Sequence, residues 1–230
     1  MLQAILHWIG YGLCHQLPER SFFGGGVQVP VCARDTGIYL GVLLSLAVIA
    51  VVHGGSRPRG LPTRAGWFAI ALMAGAMALD GGTEYAGLRG TTNELRLITG
   101  LLAGFAIGAV IAPMINDELW RTGSNERVLD TPWRLAIWLS AVPIAYAVVY
   151  WGMPLLGVGY PILVALAIVA TLTAVNLVMV SMLPAFERQA DGLWQALPPI
   201  AVAVVVSFVE IWLAGLLRTA LVAAATRIGG

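Results

Sequence analysis

Six apolar stretches dominate this chain, most of them near the roughly 20 residues that a helix needs to cross the hydrocarbon core of a bilayer. They fall at Thr36–His53, Gly66–Asp80, Leu95–Met114, Trp133–Met153, Tyr160–Leu183 and Pro198–Ala224. The second is short, so it must tilt or begin its first turn at Thr63. A soluble domain would carry about a quarter charged residues to wet its surface. Here only 11% of 230 residues are charged and 59% are hydrophobic, too much apolar surface for a water-exposed fold to hide. The expected fold class is therefore all-α: a polytopic membrane helix bundle of six spans.

An N-terminal helix is expected to precede the bundle. Leu2, Ile5, Ile9 and Leu13 recur at helical spacing within residues 1–16, which is too short to span, so this segment is read as lying in the interface. A loop with Pro18, Gly24-Gly25-Gly26 and Pro30 follows; its glycines read as a turn, since no lysine follows to make a phosphate cradle. The chain is expected to form one membrane domain over 1–230, with an interfacial helix and polar loop at 1–35 and the bundle at 36–230. No Lys or Arg precedes the first apolar residues, so the amino terminus is expected to be retained.

Small residues recur four apart at Gly37, Gly41 and Ser45 and again at Gly100, Gly104 and Gly108. Such rows let helix backbones approach closely, which is how helices associate in lipid. They are read as packing surfaces.

Every basic residue is Arg, and the net charge of +1 gives no reason to expect a nucleic-acid partner. With six spans, Arg57, Arg59, Arg64, Arg121, Arg127, Arg134 and Arg188 share one side. Arg20, Arg34, Arg89, Arg96, Arg218 and Arg227 share the other. Discounting Arg20, Arg34, Arg89 and Arg96 as held by polar motifs, the positive-inside rule puts both termini and the motif loops outside the cytoplasm.

Those motifs form two clusters. The first is CHQLPERSF from Cys14, followed by CARDTG from Cys32; the second runs from Asp80 through Glu84, Arg89, Asn93 and Arg96 to Thr99. Ionisable groups pressed against the ends of spans must pair or line a wet cavity. Arg20, Arg34, Arg89 and Arg96 could converge with Asp80, Glu84 and Asn93 to hold a small anion or lipid head group, since guanidinium forks match phosphate and carboxylate. Neutralising one another is the competing role for these charges. Asp80 and Glu84, four apart, share one face if helical.

Cys14 and Cys32 leave three readings open. A disulfide between them is the favoured one, since two cysteines in a loop on an oxidising side commonly pair. A metal set of Cys14, His15, Cys32 and Asp35 suits zinc, although adjacent Cys14 and His15 fit one ion poorly, and zinc is not the favoured reading. A reactive thiol or plain packing is the third. Glu210 in the sixth span needs a partner or a proton, and Asn176 is a candidate partner. No P-loop, HExxH or GxSxG motif is present.

The strings CHQLPERSF, PVCARDTGIYLG and DGGTEYAGLRGTTNELRLITG resemble a bacterial membrane-protein family known as domain of unknown function 2085, over residues 8–108. The resemblance implies a small multi-span protein of the bacterial plasma membrane and supplies no activity. Family members commonly carry CARCTG where this chain has Asp35, which bears on any shared cysteine chemistry. The functional expectation is a membrane-embedded binding or transport protein with an arginine-lined, outward-facing cavity. A metal or thiol enzyme at Cys14, His15, Cys32 and Asp35 is the first alternative, and a structural subunit of a larger membrane complex the second. Whether the chain is an enzyme is left open by its residues.

Overall fold

The computed structural model describes residues 1–228. It is an all-α bundle with six helices long and apolar enough to cross a membrane. A short helix α1 (Leu2–Tyr11) comes first, then a glycine hairpin of β1 (Phe23–Gly24) and β2 (Val27–Gln28). Gly25 and Gly26 both have positive φ, which a two-residue hairpin turn of this hand requires and glycine adopts without strain. The spans are α2 (Ala33–Val52), α3 (Arg64–Tyr85), α4 (Asn93–Leu119), α5 (Pro132–Ala147), α6 (Gly159–Ser181) and α7 (Leu193–Ile228). A π turn at Val148–Gly152 and a 3-10 turn at Met153–Leu156 prolong α5.

Local chemistry sets the boundaries. The Thr63 hydroxyl accepts from the Gly66 amide and opens α3; Thr92 does the same for α4 through Leu95. Pro132 sits in the first turn of α5, where its missing N–H costs nothing. The second span is longer than its apolar run: α3 continues past Asp80 to Tyr85. Hydropathy stops at the carboxylate, whereas the helix continues because arginines from other segments pair with its last turn.

α4 is the most buried span, and its closest partner is α2. The two glycine rows face each other. A Cβ on Gly100 would lie 2.0 Å from the Arg34 carbonyl oxygen, and one on Gly104 would lie 2.3 Å from that of Ile38. These contacts are with backbone that cannot swing away. Below them Ser45 donates to the Phe105 carbonyl and accepts from Trp138 Nε1, each at 2.9 Å, tying α2, α4 and α5 together in the core. α7 rests mainly on α6, where Asn176 donates to Glu210 at 2.7 Å and to Ser207 at 3.1 Å.

The helices bring the loops together at two ends. At one, β3 (Pro58–Gly60) pairs with β4 (Ser124–Arg127), and Trp120 bridges to Ala190. At the other lie the α1–α2 segment, the α3–α4 turn and the α5–α6 connection. There Tyr150 donates to Glu94 at 2.7 Å, and a Cβ on Gly24 would meet the Gly157 carbonyl at 2.3 Å.

Candidate functional site

The two motif clusters meet at this second end. Asp80 and Glu84 lie on one face of the last turns of α3, and Arg34, in the first turn of α2, reaches both, at 2.5 Å and 2.9 Å. Arg89, in the α3–α4 turn, holds the other Asp80 oxygen at 2.6 Å. The hydroxyls of Thr91 and Thr99 are within 2.9 and 3.1 Å of the same carboxylate. Arg96, in the first turn of α4, holds Glu84 at 2.5 Å and is oriented by Asn93 at 2.9 Å. Arg20 adds a longer pair to Glu84 at 3.5 Å. Asn93 also donates to the Glu19 carbonyl, which ties the polar loop to α4.

All four motif arginines therefore share two carboxylates. The Asp80 side chain is only 2% exposed and that of Glu84 13%, so the pairs replace lost hydration in a way that surface pairs do not. Arg89, Asn93 and Arg96 face inward to these acids and act as a clamp joining α2, α3 and α4. After its pairs are made, the buried Nε of Arg34 still has no acceptor among the described residues.

On the other side of Arg34 is a cavity of about 340 Å³, lined by Leu13, Cys14, His15, Gln16, Leu17, Arg20, Cys32, Arg34 and Asp35. Of the seven residues expected from the sequence to bind a ligand, Arg20 and Arg34 line it; Asp80, Glu84, Arg89, Asn93 and Arg96 lie behind them. All four residues of the expected metal set line it. The cysteines are free thiols: the Cys32 amide donates to Cys14 Sγ at 3.2 Å, and the Cys32 thiol donates to Asp35 at 3.3 Å. Ligand atoms of Cys14, Cys32 and Asp35 lie within 4.8 Å of one another, a group that does not include His15. The Cys32 thiol beside Cys14 draws the Cys14 pKa below the ordinary thiol range. Cys32 is pushed far above that range, first by Cys14 and then by burial.

Gln16 braces this wall in a left-handed conformation, φ 56°, uncommon for a residue with a side chain. Its side-chain amide donates to the carbonyls of His7 at 3.0 Å and Pro30 at 2.8 Å, and the Gln28 side chain donates to the Gln16 backbone carbonyl at 2.9 Å. The buried Oε1 of Gln16 accepts no hydrogen bond among the described residues.

A second cavity, about 440 Å³, shares Leu13, Cys14 and His15 with the first and runs along α7, lined also by Gly12, Ala214, Leu217, Arg218, Leu221 and Val222. Arg218 binds the carbonyls of Tyr11 and Cys14 and stacks over the Tyr11 ring at 4.5 Å. The sequence had used Arg218 only in the orientation count. It gave no signal for this capping role, because Arg218 lies more than 200 residues from its partners.

A family model described as "predicted membrane protein (DUF2085)" matches residues 14–110, the stretch that holds both motif clusters and α2, α3 and most of α4. An uncharacterized protein of Methanocaldococcus jannaschii is 38% identical over 109 residues, covering 47% of this chain and 67% of that one. An uncharacterized protein of Methanothermobacter thermautotrophicus is 36% identical over 101 residues, 43% of this chain and 83% of that one. The chain belongs to this family. Both relatives are archaeal, so they lend nothing to the bacterial source expected from the sequence. No solved structure matches the chain. The family match takes in the clamp and most of the cavity wall, and leaves α5, α6 and α7 outside it.

Proposed function

We propose that this membrane protein binds an anionic lipid, with the head group in the polar cavity and an acyl chain along α7. The observation that carries this reading is the pair of neighbouring cavities, which share Leu13, Cys14 and His15 in their walls. One carries Arg20 and Arg34; the other is lined mainly by Leu13, Ala214, Leu217, Leu221 and Val222. A free anion would need only the first; a phospholipid uses both. The clamp of Asp80, Glu84, Arg89 and Arg96 positions Arg34 beforehand, so binding does not have to order it. The α2–α4 seam is too tight to pass a solute, which favours binding over transport along that seam. In this reading α1 lies in the interface, and the cavity opens on the extracytoplasmic face, as the arginine count suggests.

Arg20 is the residue to test, because its side chain is 48% exposed and its one ion pair is long. In native mass spectrometry of protein in nanodiscs, phosphatidylglycerol should be retained over phosphatidylcholine. Arg20→Ala should weaken that preference about tenfold, the scale of one charge-assisted hydrogen bond. Equal retention of the two lipids would sink the proposal, and displacement of the lipid by inorganic phosphate alone would reduce it to an anion site. Orientation is read separately: Ser56→Cys, exposed at the opposite end, should resist an impermeant thiol reagent in intact cells.

A further inference from the structure

We infer that Cys14, Cys32 and Asp35 form a binding site for a thiophilic divalent cation of the zinc type, with its remaining coordination position open to the cavity. None of its ligands is an arginine, so it can be tested apart from the lipid reading although both face the same cavity.

Three observations carry it. The first is spacing. A tetrahedral zinc with bonds of about 2.3 Å to sulfur and 2.0 Å to oxygen sets its ligand atoms about 3.5 Å apart. Cys32 Sγ and Asp35 Oδ2 are already 3.3 Å apart, and all three ligand atoms fall within 4.8 Å. Closing the set takes a side-chain movement of about 1 Å, with no helix displaced. The second is the frame. Cys32 and Asp35 are one helical turn apart at the start of α2, so their spacing is fixed by the helix. Cys14 is held to them twice, its backbone by Arg218 on the carbonyl and its side chain by the Cys32 amide on the sulfur.

The third is Gln16. Its amide nitrogen is committed to the carbonyls of His7 and Pro30, which settles which end of the side chain is oxygen. That oxygen is buried and unpartnered, and Gln16 lines the same cavity. Through its two amide bonds Gln16 holds the loop that carries Cys14 against α1 and Pro30. Two thiolates and one carboxylate are a zinc donor set rather than a calcium or magnesium one, which would be all oxygen. Three protein ligands leave one tetrahedral position for water or a molecule from the cavity. His15 is exposed and outside the ligand group, so it is not assigned to the ion.

The test uses the full chain purified in mild detergent without chelator, under reductant, with zinc measured by elemental analysis and cobalt(II) as a spectroscopic substitute. Wild type should hold one zinc per chain through desalting, and cobalt should give a thiolate charge-transfer band. Cys32→Ser should lose both, while His15→Ala should keep both. Asp35→Cys should retain zinc and strengthen the cobalt charge-transfer band, because it exchanges the carboxylate for a third thiolate. Should Cys32→Ser fail to fold, wild type and Asp35→Cys decide the matter. Zinc absent from wild type and not retained after addition would overturn the site. So would a Cys14–Cys32 disulfide in protein alkylated at lysis, or zinc content unchanged in a folded Cys32→Ser variant.

Discussion

Both ends of the bundle are laced with arginine–carboxylate pairs, yet the two ends are built differently. At the motif end, four arginines from three segments converge on Asp80 and Glu84, whose side chains are 2% and 13% exposed. At the opposite end the groups are smaller and more exposed: Asp117 takes Arg188 and Arg59, and Arg134 takes Asp130 and Glu126. Arg188 holds Asp117 at 2.8 Å, Arg121 holds Asp191 at 3.0 Å and Arg134 holds Asp130 at 2.8 Å, with Asp117 and Asp191 37% and 44% exposed. The same residue types therefore do different work. Where the carboxylate is buried, the pairs fix helix positions; where both partners are exposed, they fasten loops and cost little if lost.

The largest effect should come from Asp80→Ala. It removes the buried carboxylate that Arg34, Arg89, Thr91 and Thr99 share, leaving Arg34 only Glu84, a change of about 3–5 kcal/mol. Detergent-solubilised yield and thermal unfolding should show it as a severe loss. A variant as stable as wild type would mean that the cluster does not hold α3 to α2 and α4. Gly100→Ala should come next. Its Cβ would meet the Arg34 carbonyl at 2.0 Å, so α2 and α4 must part, at about 1–3 kcal/mol or more. Gly75→Ala, with open space around it on α3, is the control that should be neutral. Equal effects at the two glycines would remove the seam from the explanation.

A smaller and pH-dependent effect belongs to the opposite end. His53 is buried at the end of α2, where it accepts from the Leu129 amide at 3.4 Å; its Nδ1 lies 3.6 Å from Glu126, with Asp130 and Arg134 nearby. Burial, helped by Arg134, lowers its pKa below the ordinary 6.5. The unfolded chain therefore binds a proton at a pH where the folded one refuses it, and stability falls as pH drops from about 6.5 toward the folded value. Thermal unfolding at about pH 7.5 and 5.5 should show this slope, and His53→Gln should flatten it. An unchanged slope in the variant would assign the acid sensitivity to the carboxylates instead.

How much of this was legible in the chain depended on range. The six spans were, because hydropathy is local. So was the pairing of the motif clusters, since Asp80 and Glu84 share a helix face and α2 and α3 return the chain to the same end. The expected ligand set was only partly separable. Charge alone does not tell Arg34, which fronts a cavity, from Arg96, which backs a clamp, because that depends on which way each helix turns. The end of α3 at Tyr85 and the caps made by Arg218 were out of reach for the same reason: their partners come from distant segments. Glu94 with Tyr150 and the buried His53 were passed over too, each being an isolated polar residue with nothing near it in sequence to mark it.

The smallest effect tests the comparison from its weak side. Arg121 and Asp191 form an ion pair at 3.0 Å with side chains 58% and 44% exposed, and the loops they join are also held by backbone bonds from Arg121 to Ala190 and from Ala190 to Leu119. Removing either charge deletes a screened attraction and returns both groups to water, where they were half-placed already. Arg121→Ala and Asp191→Ala should each cost under about 1 kcal/mol, and their double mutant should show a coupling of a few tenths at most. The same cycle on Arg89 and Asp80 should give a coupling several times larger, because Asp80 is left buried when Arg89 is lost. Salt separates them further: raising ionic strength should erase the first coupling and leave most of the second. Comparable couplings that respond alike to salt would mean that burial does not distinguish the two ends.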